Sequence, residues 1–483
     1  MRLAQAFLAA VLPVSSGLKA AARDVDPVSL LSDDGAARAE AARARLAAAR
    51  AADAQRGHAF RTVGGASPVP PLTEPDELTP IVLEVSAFQD GERCALTLFR
   101  ALAKASHPAR VSFHLLQARQ KQTTDCLAEF EEKHLPKLCL EGKALANAEG
   151  VSGDACQQRV LGRSHSWLLD PADGEGPAHQ RGVSTSLLAY HREDAMCLSS
   201  DSHMDFERGW DTTMISDWAS TRNEFAVLSA YPANVGSRAG PQGEYIDLCG
   251  YSLEDGIPRG RTGGNMYPQR GVAPYLTVNW AAGLSFHRCH AEKNVPVDWH
   301  LRWIFTGEEI NRAVRFFTSG YDIYLPTNIA VTHNYSHASQ AFFSYGPNDQ
   351  GALKQKSRDR LARLFADGWV AEKADGQRAV GAGGLQGAAN FGVGSQRSLE
   401  EFVRWGRVNL GGSWPQWMRD NGVTEMSDEE THRFCKTLDR LPVRDEVSLV
   451  ASVSSKPDEF AADRNGNVKF YGDGEELDVR KLL

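Results

Sequence analysis

The chain lacks most of the features that assign a protein at sight. It has no C-x-x-C pair among its eight scattered cysteines, which argues against a zinc ribbon or a thioredoxin-type redox site. Basic residues do not outnumber acidic ones, 53 Lys and Arg against 61 Asp and Glu for a net charge of -8. That balance argues against the broad positive face of a nucleic-acid binder. For a phosphate-bearing ligand it favours local neutralisation by a metal. There is no internal repeat, no apolar run long enough to read as a spanning helix, and no low-hydrophobicity signature that would impose disorder throughout.

What is present is ordinary for a globular protein: 42% hydrophobic and 24% charged residues in 483. Such a length exceeds what one core usually organises, so one large domain with appendages is expected. The even cysteine count permits disulfides in an oxidising lumen. A chain this long does not need them, however, and isolated buried thiols are the plainer expectation.

Along the chain, residues 1–22 combine an early Arg, a short apolar stretch and small residues, the layout of a secretory signal or weak membrane anchor. A cytosolic amphipathic arm is the alternative, because Gln5 and Pro13 interrupt the run. This leaves a secretory-pathway or Golgi location slightly ahead of a cytoplasmic one. Residues 35–56, rich in Ala, Arg and Glu, predict a solvated helical stalk, and the Pro-rich 67–80 a linker. Beyond it, IVLEVSAF (81–88) predicts a buried strand, 94–106 a helix and VSFHLLQA (111–118) a second strand, hence a parallel crossover. Residues 184–191 read as helix, MCLSSD (196–201) as a short strand, and the segment from Phe206 as a helix presenting Phe206, Trp210, Met214 and Trp218 on one face. An open α/β sheet follows, with ligands expected at the carboxyl ends of its strands. Residues 238–272 read as loop, 306–320 as an amphipathic helix, 352–367 as a charged helix, and a Gly-rich loop precedes a further helix from Ser398.

The chemistry concentrates in two places. Asp201 and His203 lie one residue apart at the end of MCLSSD, where one hard oxygen and one imidazole can turn toward a cation as the backbone leaves the sheet. Taken alone, an Asp at such a junction reads first as a helix N-cap. The second cluster is FTGEEINRAVRFFTSGYDIYLPTNIAVTHNYSH (305–337), where His333 ends an apolar run and could complete a metal site. Thr306 and Glu309 have capping-box spacing, which gives Glu309 a structural role and leaves Glu308 as the better chemical candidate.

Together DSHMDFERGWD, LSAYP (228–232), WAAGLSFHR (280–288), the run from Asn294 to Tyr335 and FGVGSQRSLEEFVRWGRVNL (391–410) resemble the UDP-GlcNAc:polypeptide N-acetylglucosaminyltransferases. That family includes enzymes that glycosylate hydroxyproline on a ubiquitin-ligase adaptor subunit and protozoan enzymes that start mucin-type glycans on Thr. The resemblance, over roughly 80–410, implies a GT-A fold, a Rossmann-like open α/β sheet with a C-terminal extension. It implies a retaining, metal-dependent transfer of N-acetylglucosamine from UDP-GlcNAc to a Thr, Ser or hydroxyproline hydroxyl, with manganese as the expected metal. The partners it implies are a UDP-sugar donor and a polypeptide acceptor, with no nucleic acid and a membrane anchor only at the N-terminus.

Carried over residue by residue, Asp201, His203 and His333 match the metal ligands, and Glu308, with Glu309 beside it, the acidic residue near acceptor and sugar. Gly283 matches a small residue whose backbone lies close to the sugar, and Arg181 an Arg near the nucleotide or pyrophosphate. Ser86, Phe88 and Asp90 match the Ser-x-Tyr-x-Asp start on the nucleotide side, with Phe88 in place of Tyr. Ala178-His179-Gln180 departs from the usual Trp-Ala-Arg run and implies an altered nucleotide side. The implied organisation is a signal or anchor (1–22), stalk and linker (23–78), catalytic domain (79–345), the rest of the family region (346–410) and an extension (411–483). Alternatives from other classes are an inactive GT-A-fold carbohydrate- or peptide-binding module, a GalNAc-specific transferase, and a metal-dependent hydrolase.

Overall fold

The computed structural model describes residues 75–375, apart from 77–78, 189–194, 222, 237–244, 255–256, 267–273, 329 and 337–339, together with parts of 391–408 and the strands Lys469–Gly472 and Glu475–Asp478. The expected signal segment, stalk, most of the Pro-rich linker, the Gly-rich loop and nearly all of the C-terminal extension lie outside the described residues, as does most of the helix expected from Ser398.

The apolar run Ile81–Phe88 forms β1, and Gly91–Lys104 forms α1. Val111–Ala118 is β2 and His165–Leu169 is β3, with several short helices between them. Then come α2 (Pro177–Leu188), β4 (Met196–Asp201), β5 (Met204–Phe206) and α3 (Trp210–Ser220). Strands β6 (Ala226–Ser229) and β7 (Ala233–Asn234) precede the hairpin β8 (Tyr245–Glu254) and β9 (Ile257–Met266). The order continues with β10 (Tyr275–Thr277), β11 (Leu284–Arg288), α4 (Glu308–Thr318), β12 (Asp322–Leu325), β13 (Val331–His333) and α5 (Gln350–Asp375).

Eight strands make one sheet in the order β10, β12, β6, β11, β4, β1, β2, β3. All run the same way except β10 and β11, which are antiparallel to their neighbours. This is the open α/β class expected. β1 pairs in parallel with β2 and β4, and α1 and α2 pack against it, so it is buried on both faces and its sequence is a near-continuous apolar run rather than an alternation. A second, three-stranded sheet, β5-β13-β7, sits beside the carboxyl ends of these strands. Among the described residues no helix is long and apolar enough to cross a membrane.

Several expectations are corrected. Residues 245–266 are not loop but the antiparallel hairpin β8–β9. The pairing partner supplies what the Gly- and Pro-containing IPRGRTGGNM lacks in intrinsic strand preference. The helix after Phe206 starts only at Trp210, yet Phe206 still packs on Trp210, at 4.9 Å between ring centroids, from strand β5.

Helix α4 is not half-solvated: Arg312 and Arg315 are buried with the rest of it. Arg312 pairs with Glu292 and lies over the Trp280 ring at 4.8 Å, while Arg315 donates to the Pro296 carbonyl. Burial lowers the Arg315 guanidinium to about 9, so its charge is costlier here than in water, and nearby Asp298 and Glu292 offset part of that cost.

Nor are the cysteines isolated thiols. Cys94 is bonded to Cys126, Cys139 to Cys156, and Cys197 on β4 to Cys289 just after β11. No described cysteine is free; Cys435 lies outside the described residues and the side chain of Cys249 is not among those described.

Candidate active site

Asp201 is the last residue of β4, beside Ser86 of β1 in the parallel register. The chain turns there and enters β5, so Asp201 caps no helix; the N-cap of α3 is Gly209. The turn is held from α1, whose Thr97 hydroxyl donates to the Ser202 carbonyl (2.9 Å) and accepts from the Met204 N–H (2.9 Å). His333 arrives by the second sheet. It lies opposite Met204 in the β13–β5 register, and the Asn334 N–H donates to the His203 carbonyl at 3.0 Å.

The three expected ligands therefore converge: one ligand atom from each of Asp201, His203 and His333 lies within 4.8 Å of the other two. His333 Nε2 is 3.1 Å from Asp201 Oδ2, and the imidazole centroids are 4.5 Å apart. A carboxylate with two imidazoles suits a divalent first-row cation. Among the described residues His333 Nδ1 is moreover buried without a hydrogen-bond partner, the kind of orphan that marks a site for something more than packing.

Arg181 sits in the middle of the acidic groups. Its guanidinium bonds Asp201 Oδ1 on one side and Glu308 Oε2 (2.8 Å) on the other. Burial alone raises Asp201, but Arg181, the hydrogen bond from His333 and the two imidazoles hold it well below the usual carboxylate range. Glu308, 3% exposed, goes the other way: burial raises it, Asp201 adds to the rise, and Arg181 only partly offsets it. Its second oxygen, Oε1, is buried and unpartnered.

Glu309 does not form the capping box. The N-cap is Gly307, at φ +122° where an L side chain is strained, and no side chain caps the helix. Glu309 instead accepts a 2.6 Å hydrogen bond from the Tyr231 hydroxyl. Burial pushes its carboxyl up to about 7 against the Tyr231 bond, with Glu308 raising it further and Arg259 and the Ala282 N–H lowering it.

Gly283 lies against the Asp201 carboxylate. A Cβ there would stand 3.0 Å from Asp201 Oδ2. The Gly283→Ala variant is accordingly expected to push that carboxylate aside and lower kcat/KM about ten- to a hundredfold, with little change in melting temperature. Steady-state kinetics beside a thermal melt check this.

Of the residues expected on the nucleotide side, Ser86 adjoins Asp201. The Phe88 ring packs edge-on to Tyr345 and Phe342, at 5.5 and 6.1 Å between centroids. The carboxylate of Asp90 meets His203. The departure at 178–180 has packing duties: His179 Nδ1 bonds the Trp299 carbonyl, and the Gln180 amide donates to the Ala87 (2.8 Å) and Leu116 (3.2 Å) carbonyls at the ends of β1 and β2.

Two aromatic residues at the site were not singled out by sequence. The Tyr335 ring packs at a tilt on His333, 4.0 Å between centroids, and its hydroxyl donates to the Pro232 carbonyl at 2.8 Å, while Tyr231 holds Glu309. An aromatic two residues from a candidate ligand in an extended run shares its face, a signal that was available for Tyr335.

A family model described as Glycosyltransferase (GlcNAc) matches residues 80–410, well over half of the chain. The chain belongs to this glycosyltransferase family. No curated protein matches it. Among solved structures, this GlcNAc-family glycosyltransferase is similar to a crystal structure of GalNAc-T7 with UDP, GalNAc and Mn2+, at 12% identity and a TM-score of 0.42, over 68% of this chain and 57% of that one. It is also similar to S. aureus TarS 1-349 in complex with UDP-GlcNAc, at 10% identity and a TM-score of 0.36, over 83% of this chain and 96% of that one.

Proposed function

We propose that this glycosyltransferase moves N-acetylglucosamine from UDP-GlcNAc to a hydroxyl of a polypeptide, Thr, Ser or hydroxyproline, with retention of configuration. The observation that carries the reading is the convergence of Asp201, His203 and His333 from two sheets, with Arg181 and Glu308 alongside. Asp201, His203 and His333 would hold a divalent cation, manganese by expectation, whose charge supports departure of the UDP diphosphate.

This chain's own residues then divide the remaining work. Arg181 fixes the position of Asp201 and brings Glu308 beside it, and guanidinium is itself suited to phosphate. Glu308, with Oε1 unpartnered, orients the acceptor hydroxyl or supports the cationic sugar of the transition state. In front-face displacement the C–O bond to UDP breaks as the acceptor oxygen bonds the same face of the sugar, and the proton of that hydroxyl passes to the departing phosphate oxygen. No protein general base is needed, and this favours the front-face route over a covalent intermediate on Glu308.

The catalytic unit is proposed to span 79–345, with 346–410 completing the family region. The three disulfides, with the signal-like first 22 residues, support an oxidising lumen as its location.

Incubation with manganese, a panel of UDP-sugars and Thr, Ser and hydroxyproline peptides tests the reading. Consumption of UDP-GlcNAc with a matching mass gain on one peptide is expected. Preference for UDP-GalNAc would redirect the donor assignment, and release of free sugar faster than transfer would replace transfer by hydrolysis.

A pH profile follows from Glu309. With its carboxyl near 7, kcat/KM is expected to rise through that region as the anion forms, and a nearby bound cation draws the limb to lower pH. Tyr231→Phe removes the donor that favours the anion, so the limb should move up by about one unit. A limb unmoved by this substitution removes Glu309 ionisation from the reaction.

A further inference from the structure

Asp90 occupies the N-cap position of α1, where an aspartate ordinarily accepts a hydrogen bond from the first turn of its helix. It accepts no such bond from a backbone N–H of that turn. Oxygen Oδ2 faces His203 Nδ1 at 3.1 Å and accepts from the Ser202 hydroxyl at 3.0 Å, while Oδ1 accepts from Arg93 Nε at 2.7 Å. The same Arg93 donates through a terminal nitrogen to the Ser336 carbonyl at 3.0 Å, three residues beyond His333. One acidic residue on α1 thus ties down the imidazole of His203, and its guanidinium partner ties down the segment that carries His333.

We infer that Asp90 is the positioning residue of the cation site, holding His203 through Nδ1 so that Nε2 is presented as the ligand atom. The inference rests on the metal reading of Asp201, His203 and His333. Its physical basis is the geometry of a neutral imidazole. With one ring nitrogen donating its hydrogen to a carboxylate, the other keeps a lone pair and a fixed direction, and its basicity rises.

His333 has no counterpart. Its Nδ1 lacks a partner, and packing against Tyr335 fixes its ring instead. Affinity for the cation should therefore depend on Asp90 although it does not itself touch the ion, with the Ser202 hydroxyl, 3.2 Å from the same His203 nitrogen, as its neighbour. The role differs from a nucleotide contact, because the ring nitrogen, the serine hydroxyl and the arginine between them engage both oxygens of Asp90.

The experiment titrates the full chain with Mn2+ alone, following the loss of the free-ion EPR signal, for the wild type, Asp90→Asn and Asp90→Ala, with a thermal melt of each. The expected order of affinity is wild type, then Asn, then Ala, the last weaker by about ten- to a hundredfold. Asn keeps an acceptor for Nδ1 without the charge, so a graded loss with melting temperatures close together supports orientation over a structural role. Should Asp90→Ala fail to fold, Asp90→Asn decides alone: weaker Mn2+ binding supports the inference and unchanged binding overturns it.

Wild-type Mn2+ affinity retained in both variants, with UDP affinity lost in metal-free titrations, would make Asp90 a nucleotide contact and sink the inference. A wild type that binds no Mn2+ would instead sink the metal reading beneath it, and the two failures are told apart by that first titration.

Discussion

Asp201→Ala is expected to lower transfer by about three orders of magnitude or more while the chain stays folded. The argument starts from the number of groups that use this one carboxylate. Oδ1 takes Arg181 and Oδ2 takes His333, so Asp201 both supplies the only anionic donor of the three-residue cluster and fixes the guanidinium beside it. Two imidazoles remain after its removal, and without a carboxylate they hold a hard divalent cation weakly.

Stability should change much less. Arg181 keeps its bond to Glu308, and the β4 backbone keeps its pairing with β1 and β11. The measurement is UDP release and peptide mass gain at rising Mn2+, beside a thermal melt. Millimolar Mn2+ should restore part of the activity, because His203 and His333 are still in place. Transfer at the wild-type rate, with the same dependence on Mn2+, would remove Asp201 from the site and leave the convergence of these side chains without a function.

Much of this site was legible in the sequence, and the reasons are local. Strands β1, β2 and β4 are short apolar runs between polar residues, and parallel strands buried on both faces must look so. Asp201 and His203 were exposed by their place at the end of such a run, and His333 by the same logic at the end of β13. What stayed hidden depends on partners distant in the chain. Nothing near Glu309 announces Tyr231, so the spacing to Thr306 suggested a cap, whereas Gly307 alone takes the strained backbone position and leaves Glu309 to a tyrosine from another strand end. Arg312 and Arg315 read as a solvated stripe because periodicity carries no information about Glu292 or the Trp280 ring. The disulfides were invisible for the same reason, since Cys197 and Cys289 meet only because β11 inserts antiparallel beside β4. Asp90 was legible as a residue of interest but not in its duty, which requires the β5 turn to be folded over α1.

Arg181→Met is expected to cost about 3 to 5 kcal/mol of stability, the range for removing one partner from a buried ion pair. Arg181 lies between Asp201 and Glu308, with side chains 13, 21 and 4% exposed, so little solvent is available to take over its charge. Met fills the volume and leaves two carboxylates facing each other in a poorly solvated place.

The loss should depend on pH in a defined direction. Glu308 already sits above its ordinary range in the wild type, and without Arg181 it rises further. A carboxyl raised in the folded state binds protons that the unfolded chain releases, so the deficit is fully present above the raised folded value. It shrinks as pH falls toward the unfolded value, and in this window folding favours proton uptake.

Mn2+ gives a second signature. In the wild type Arg181 competes with a cation for Asp201; in the variant it does not, and the cation also relieves the repulsion. Chemical denaturation with and without Mn2+ should therefore show a larger metal-induced gain for Arg181→Met than for the wild type, since a free ion at about a hundredfold its Kd adds about 2.7 kcal/mol and the variant's Kd is the lower. Arg181→Lys should fall between the two, because an ammonium keeps the charge but cannot bridge two carboxylates with fixed geometry. An Arg181→Met protein as stable as the wild type, or one to which Mn2+ gives no larger gain, would mean that the guanidinium does not hold these acids together and that the charge arrangement drawn for the site is wrong.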